Sequence, residues 1–300
     1  MMKNVLIIGC GLIGSSLLRA IANKKLAKKI FVYEKSKSNI NKIKKLKLPA
    51  TIVKSLDDCV INLDLIIFCT PTSEYKKLIL KINSSISSKT VITDIGSSKI
   101  ESSKIIKKFL KKGIHWIQSH PITGSEVSGP EHGKDNMFED KWCVLIKDTK
   151  TNLKHLKFLK SFWKKVGSKT VIMNTEKHDK IFSITSHLPH LIAYNLVKSA
   201  QDFEKMLKFN LIKYSAGGLR DFSRIAASNE IMWRDIFFDN KLNVSKAIDL
   251  FIKNLKEFKK DINSSNNKSI LKKLIQTKKV RSKIIKLKQD IDKPNFGRDI

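Results

Sequence analysis

The sequence predicts an α/β dinucleotide-binding domain of Rossmann type, with a parallel-dominated sheet, followed by an all-α domain. Three observations carry this. The chain opens with a short apolar run, Asn4 to Ile8, that breaks at once into Gly9-Cys10-Gly11-Leu12-Ile13-Gly14. Apolar runs then alternate with helix-like stretches as far as Met173, the pattern of a parallel sheet covered on both faces. Beyond Asn174-Thr175, a plausible helix cap, only helical periodicity remains. The expected domains are 1–173 and 174–300.

Asn4 to Ile8 reads as a buried parallel strand, and the amphipathic stretch to about Lys24 as the helix after it. A second strand, Ile30 to Tyr33, ends in Glu34, twenty residues after Gly14. Strand, glycine turn, helix, strand and acid together point to a dinucleotide. Gly9 permits the tight turn, Gly11 the approach of a pyrophosphate and Gly14 close helix packing. Leu12 and Ile13 open the helix whose free N–H groups attract phosphate. Glu34 is suited to ribose hydroxyls and would repel a 2′-phosphate, which favours NAD over NADP; Lys35, Ser36 and Lys37 could soften that preference. The bland alternative is a glycine turn without a ligand.

Strands are expected over Thr51 to Val53, over Leu63 to Cys69 running into Thr70-Pro71-Thr72, and over Thr90 to Ile95 running into Gly96-Ser97-Ser98-Lys99. Ligands gather at the carboxyl ends of such strands, where Thr70, Ser97 and His120 all fall. Helix capping is the competing reading for Thr70 and Ser97. Ser119-His120-Pro121-Ile122-Thr123-Gly124-Ser125-Glu126 follows the apolar run Ile114 to Ile117 and places a histidine, hydroxyls and a carboxylate in a Pro/Gly-containing loop. A strand from Trp142 to Ile146, a helix from Leu153 to Val166 and a strand from Lys169 to Met173 complete this half.

The second half carries Ser186-His187-Leu188-Pro189-His190. His187 and His190 can share a helix face, and Pro189 should kink or restart the helix. Further on, Gly217-Gly218 precede Arg220, Asp221 and Arg224, and the spacing of Asp221 and Arg224 allows the acid to orient the guanidinium. The stretch after Lys253 reads as amphipathic helices with a frayed end.

The formal charge is +32, but it comes from 53 Lys against six Arg, spread over nearly every helical face. A nucleic-acid surface would cluster its charge and use Arg, so no specific nucleic-acid partner is expected. Against that background of lysine, three of the six arginines fall between 220 and 234, which favours a carboxylate-binding Arg224 over the bland reading, an ordinary surface ion pair worth little. Cys10, Cys59, Cys69 and Cys143 lie in or beside apolar stretches with no C-x-x-C pair, so neither disulfides nor a metal site is expected and a reducing cytoplasm fits. No apolar run approaches the roughly 18 residues of a membrane span, and Val5 to Ile8 is too short for a signal core. The expectation is a soluble, uncleaved, cytoplasmic protein.

GCGLIG at 9–14, TDIGSSK at 93–99, SHPITGSE at 119–126, HDKIFSITSHLPH at 178–190 and GGLRDFSRIAASNEIMWRDI at 217–236 together resemble the prephenate and arogenate dehydrogenases of tyrosine biosynthesis, from about residue 3 to 240. The resemblance implies a 6-phosphogluconate-dehydrogenase-like fold, NAD as cofactor, a homodimer through the helical half, and prephenate or arogenate as substrate. By motif it makes His120 the catalytic histidine, with Ser97 orienting the substrate, and Arg224 the carboxylate ligand held by Asp221. His190 lines the pocket and is implicated in binding tyrosine, a possible feedback ligand. Ser125 keeps a hydroxyl where threonine is common; Glu126 and His187 complete the expected substrate set. A non-catalytic NAD-sensing regulator and a basic nucleic-acid-binding protein are the alternatives of another class.

Overall fold

The computed structural model describes residues 1–56 and 62–290; Cys59 lies outside them. The contacts divide the chain into two compact units, Met1–Val244 and Ser245–Ile300.

The first unit begins with β1 (Met2–Ile8), α1 (Leu12–Asn23), β2 (Ala27–Tyr33), α2 (Lys37–Lys45), β3 (Thr51–Val53), β4 (Leu65–Phe68), α3 (Tyr75–Ile82), β5 (Val91–Asp94) and α4 (Ile100–Phe109). These first five strands form one all-parallel sheet in the order β3-β2-β1-β4-β5. Alternation along β1 feeds both faces. Val5 and Ile7 join Leu17, Leu18 and Ile21 of α1 in one core, while Leu6 and Ile8 join Phe68, Tyr75 and Ile79 in the other. Both faces are dry, so these strands are unbroken apolar runs.

The later strands do not extend this sheet. β6 (Ser119–Pro121), β7 (Trp142–Ile146) and β8 (Lys169–Met173) make a second, three-stranded sheet, in which β6 runs antiparallel to β7 and β8 parallel to it. The apolar run at 114–117, expected as the strand before the histidine, contributes only a bridge from Trp116 to Ile92. His120 is therefore inside a strand and not in the loop the sequence suggested, with Val144 as its register partner. Cys143 and Leu145 face the first core with α5 (Leu153–Val166), and Val144 and Ile146 face Phe182. Period-two alternation thus puts His120 on the side of β6 away from the main core.

Helices follow: α6 (Thr175–Phe182), a π-helical segment (Ser183–His187), α7 (Leu188–Leu207), α8 (Gly217–Ala226), α9 (Glu230–Asp239) and α10 (Lys241–Asn263). Asn174 caps α6, its side chain accepting from the Lys177 N–H. The wide π turn ends where Pro189 sits in the first turn of α7. Proline there needs no N–H of its own, so the helix restarts after it.

The second unit holds the remainder of α10 and α11 (Asn267–Lys286). Asn266 caps α11, and Asp261 accepts from Ser269 Oγ and Lys273 Nζ at 2.6 and 2.7 Å. Among the described residues no helix is long and apolar enough to cross a membrane.

Gly9 has φ +90°, and a Cβ on Gly14 would stand 2.1 Å from the Gly9 carbonyl oxygen, whereas one on Gly11 would meet nothing within 4 Å. Gly14→Ala should therefore cost about 1–3 kcal/mol or more in urea denaturation, as backbone has to shift. Gly11→Ala should cost about 1 kcal/mol or less, the difference between glycine and alanine as a helix cap.

Candidate active site

The cofactor end is built by the turn from β1 into α1. Gly9 packs beneath Cys69 and Thr70, where any Cβ would lie 2.7 Å from the Cys69 carbonyl oxygen. Gly11 caps α1 without a side chain, so the N–H groups of Leu12, Ile13 and Gly14 keep their capacity for an anion. The open space above Gly11 is what a pyrophosphate needs. Thr70 Oγ1 is buried and has no partner, a free polar atom beside the same turn. These features fit a dinucleotide. Glu34 is less open than the sequence suggested, because Oε2 accepts from the Cys10 N–H at 2.8 Å and Oε1 from the Ser36 N–H at 2.9 Å. Each oxygen retains a lone pair for a ribose hydroxyl. Lys35 is paired with Glu74 and Ser36 caps α2. Burial, reinforced by Glu34, pushes the Cys10 thiol up to about 12, so it stays protonated. Cys10 and Cys143 are buried and Cys69 half-buried, all three as free thiols.

Neither Thr70 nor Ser97 caps a helix. Pro71 precedes the short 3-10 turn before α3, and Lys99 stands at the N-cap of α4. In that loop Lys99 is fully buried. Its ammonium donates to Asp94 Oδ2 at 2.6 Å and to the Ser119 carbonyl at 2.8 Å. Asp94 also accepts from Tyr75 OH, Trp116 Nε1 and the Gly96 N–H. This cluster fixes Ser119, and with it the backbone of His120.

The imidazole of His120 is buried against Phe182, with ring centroids 4.8 Å apart. Its Nδ1 lies 2.8 Å from Nε2 of His178, whose Nδ1 lies 2.7 Å from Asp179 Oδ1. Asp179 also accepts the N–H groups of Lys99 and Ile100 at 2.9 Å each, at the start of α4. Burial, then His178, Lys99 and His187, hold His120 well below the ordinary imidazole value. His178 is lowered likewise, by burial and then Lys99. Burial raises Asp179, against the pull of the two backbone N–H groups. A neutral imidazole open at one nitrogen is a proton acceptor.

His187 and His190 both meet Trp233, His190 stacked on it at 3.8 Å and His187 edge-on at 6.2 Å. Asn240 Nδ2 bridges His187 Nδ1 and the Asp179 carbonyl. Burial brings His187 down to about 4, opposed by Asp179 and the Ser97 backbone. Arg224, on α8, reaches Glu126 Oε2 at 3.3 Å, while its Nε is buried without a partner. Asp221 stands on the same helix, but the Glu126 pairing was not foreseen. Ser125 Oγ also donates to Glu126. The carboxyl of Glu126 is held low by its own backbone N–H, then by Ser125 and Arg224.

Lys99, Asp94, Asp179 and Asn240 were not singled out from the sequence, and neither was Asp239, which accepts from Thr72 and Ser98 hydroxyls at 2.5 and 2.9 Å. A lysine directly after a strand-end loop in so lysine-rich a chain carries no signal. His178-Asp179 beside the later histidines was the one visible cue.

The family model of the prephenate dehydrogenase nucleotide-binding domain matches residues 17–172, and that of the dimerization domain residues 174–277. Cyclohexadienyl dehydrogenase of Zymomonas mobilis is 31% identical over 97% of this chain and 98% of its own length. Prephenate dehydrogenase of Bacillus subtilis is 30% identical over 85% of this chain and 69% of its own. The crystal structure of Aquifex aeolicus prephenate dehydrogenase with hydroxyphenyl propionate and NAD+ superposes with a TM-score of 0.88, at 34% identity, covering 95% of this chain and 99% of that one.

Two stability outcomes follow. Lys99→Met strands the buried Asp94 charge and should cost about 3–5 kcal/mol in chemical denaturation. Histidines with lowered folded pKa take up protons only on unfolding, so stability is complete above the unfolded value of about 6.5 and falls below it. His187 alone, at about 4 when folded, should remove about 2 kcal/mol by pH 5. Thermal melts between about pH 7.5 and pH 5 would show the decline.

Proposed function

The chain belongs to the prephenate dehydrogenase family, and from that premise we propose that its substrate is prephenate, oxidised by NAD and decarboxylated to 4-hydroxyphenylpyruvate, carbon dioxide and NADH. The observation that carries this reading is the buried, neutral His120, with Nδ1 engaged by His178 and Nε2 without a hydrogen bond among the described residues.

In this reading residues 1–173 form the dinucleotide-binding domain and 174–300 the helical substrate and dimerisation domain of a homodimer. Gly9, Gly11, Leu12, Ile13 and Gly14 receive the pyrophosphate, Glu34 the adenosine ribose, and Thr70 lies beside them. Bound NAD supplies the hydride acceptor for C4 of the substrate ring. His120 Nε2 takes the C4 hydroxyl proton as the C4–H bond breaks. When the bond from the ring to its carboxylate then breaks, the electron pair enters the ring, carbon dioxide leaves, and the proton returns to the phenolic oxygen. Ser97 orients the hydroxyl. Arg224 binds a carboxylate in place of Glu126, a planar match for the guanidinium. Ser125, Glu126 and Asp221 shape that end, with His187 and His190 along the wall.

NADH formation by the purified protein, with prephenate and arogenate each offered with NAD and NADP, tests the proposal. Fast turnover of prephenate with NAD is expected; turnover of arogenate alone would correct the substrate. His120→Asn should lower kcat by about 10²–10⁴ while NAD still binds. The depressed pKa of His120 should keep kcat level below pH 6.5, with activity lost only as pH falls through that lower value. Arg224→Ala should raise KM about a hundredfold, the equivalent of about 2.7 kcal/mol.

A further inference from the structure

We infer that His178 and Asp179 are positioning residues, forming a buried relay that fixes His120 in the tautomer whose Nε2 lone pair faces the substrate. The assignment rests on the proposed role of His120, but its geometry is independent of which substrate is bound.

The chain of donors can be read from its closed end. Asp179 Oδ1 accepts the Lys99 N–H and Oδ2 the Ile100 N–H, both otherwise unpartnered donors at the start of α4. That end of a helix favours an anion, and an ionised carboxylate only accepts. His178 Nδ1, 2.7 Å from Asp179 Oδ1, must then carry the proton. A neutral imidazole has one donor and one acceptor, so His178 Nε2 presents its lone pair. His120 Nδ1, 2.8 Å away, must donate to it. The remaining lone pair of His120 is on Nε2.

The seal matters as much as the order. His178 and Asp179 are fully buried, and His120 keeps 8% of its surface open. Phe182 packs edge-on to the His120 ring at 4.8 Å and tilted against the His178 ring at 4.5 Å. Solvent therefore does not reach the His178–Asp179 end of the relay to offer an alternative bond there. Once His120 holds the substrate proton, the Asp179 charge two rings away favours the cation, while the Lys99 ammonium opposes it. The balance keeps the proton on loan.

The relay also answers why a loop on α4 and a helix of the second half are joined here. His120 comes from β6, His178 and Asp179 from α6, and the two N–H groups from α4. Mis-seating of α6 would release the tautomer of His120 without moving β6.

The test is nitrogen NMR of the histidine-labelled protein, together with kinetics of two variants. In the unsubstituted protein the His120 signal should show the proton on Nδ1; a proton on Nε2 would overturn the relay, and this reading requires no substitution. His178→Phe removes the acceptor while keeping an aromatic ring at the position. It should lower kcat about a hundredfold with KM and NAD affinity near their original values, and mix the His120 tautomers. His178→Gln, whose carbonyl can accept from His120 Nδ1, should recover most of the rate and the single tautomer. Equal damage from both variants, or an unmixed His120 signal in His178→Phe, would refute the role. Were neither prephenate nor arogenate turned over by the unsubstituted protein, the substrate reading would fall while the NMR result still decided the relay.

Discussion

The ion pair between Lys99 and Asp94, with both side chains fully buried, is the constraint on which the rest of the site depends. Removing two charges from water is costly unless every remaining donor and acceptor is matched. Here the matching groups are the structure itself: Tyr75 from α3, Trp116 before β6, the Gly96 N–H and the Ser119 carbonyl. The pair therefore ties the end of the parallel sheet to the first strand of the small sheet. Ser97 and Ser98 are held in the loop between the two charges, and His120 follows the residue that the ammonium grips.

α6 and α9 meet this frame through carboxylates and amides as well as through the apolar packing of Phe182. Asp179 sits on the start of α4, Asp239 takes hydroxyl hydrogen bonds from Thr72 and Ser98, and Asn240 spans His187 and the Asp179 carbonyl. Directional contacts of this kind specify position more sharply than apolar packing does. They suit an arrangement in which His120 on β6 and Arg224 on α8 are brought from separate parts of the chain.

Much of the fold was legible because it depends on local pattern. Buried parallel strands must be apolar throughout, and the boundaries of β3, β7, α5 and β8 coincide with the runs that suggested them. β6 was misread because three residues, one of them Pro121, leave no periodicity to detect. The site was legible where residue type was unusual: Arg224 stood out by its scarcity, and His120 by its Pro/Gly surroundings. It was illegible where meaning comes from burial across long separations. Asp179 meets Lys99 after 80 residues and Glu126 meets Arg224 after 98, and nothing local marks either. Glu34 was placed at the right strand end, but its hold on the Cys10 and Ser36 backbone requires coordinates to see.

The burial of Lys99 separates the lysines into two chemical populations. The other lysines among the described residues retain access to water, whereas Lys99 has none. Amine-directed reagents, such as those used for reductive methylation before crystallisation, would reach the coat and spare this one. The hydration of the coat can therefore be altered with its charge kept, while the internal cation that seats the site stays untouched.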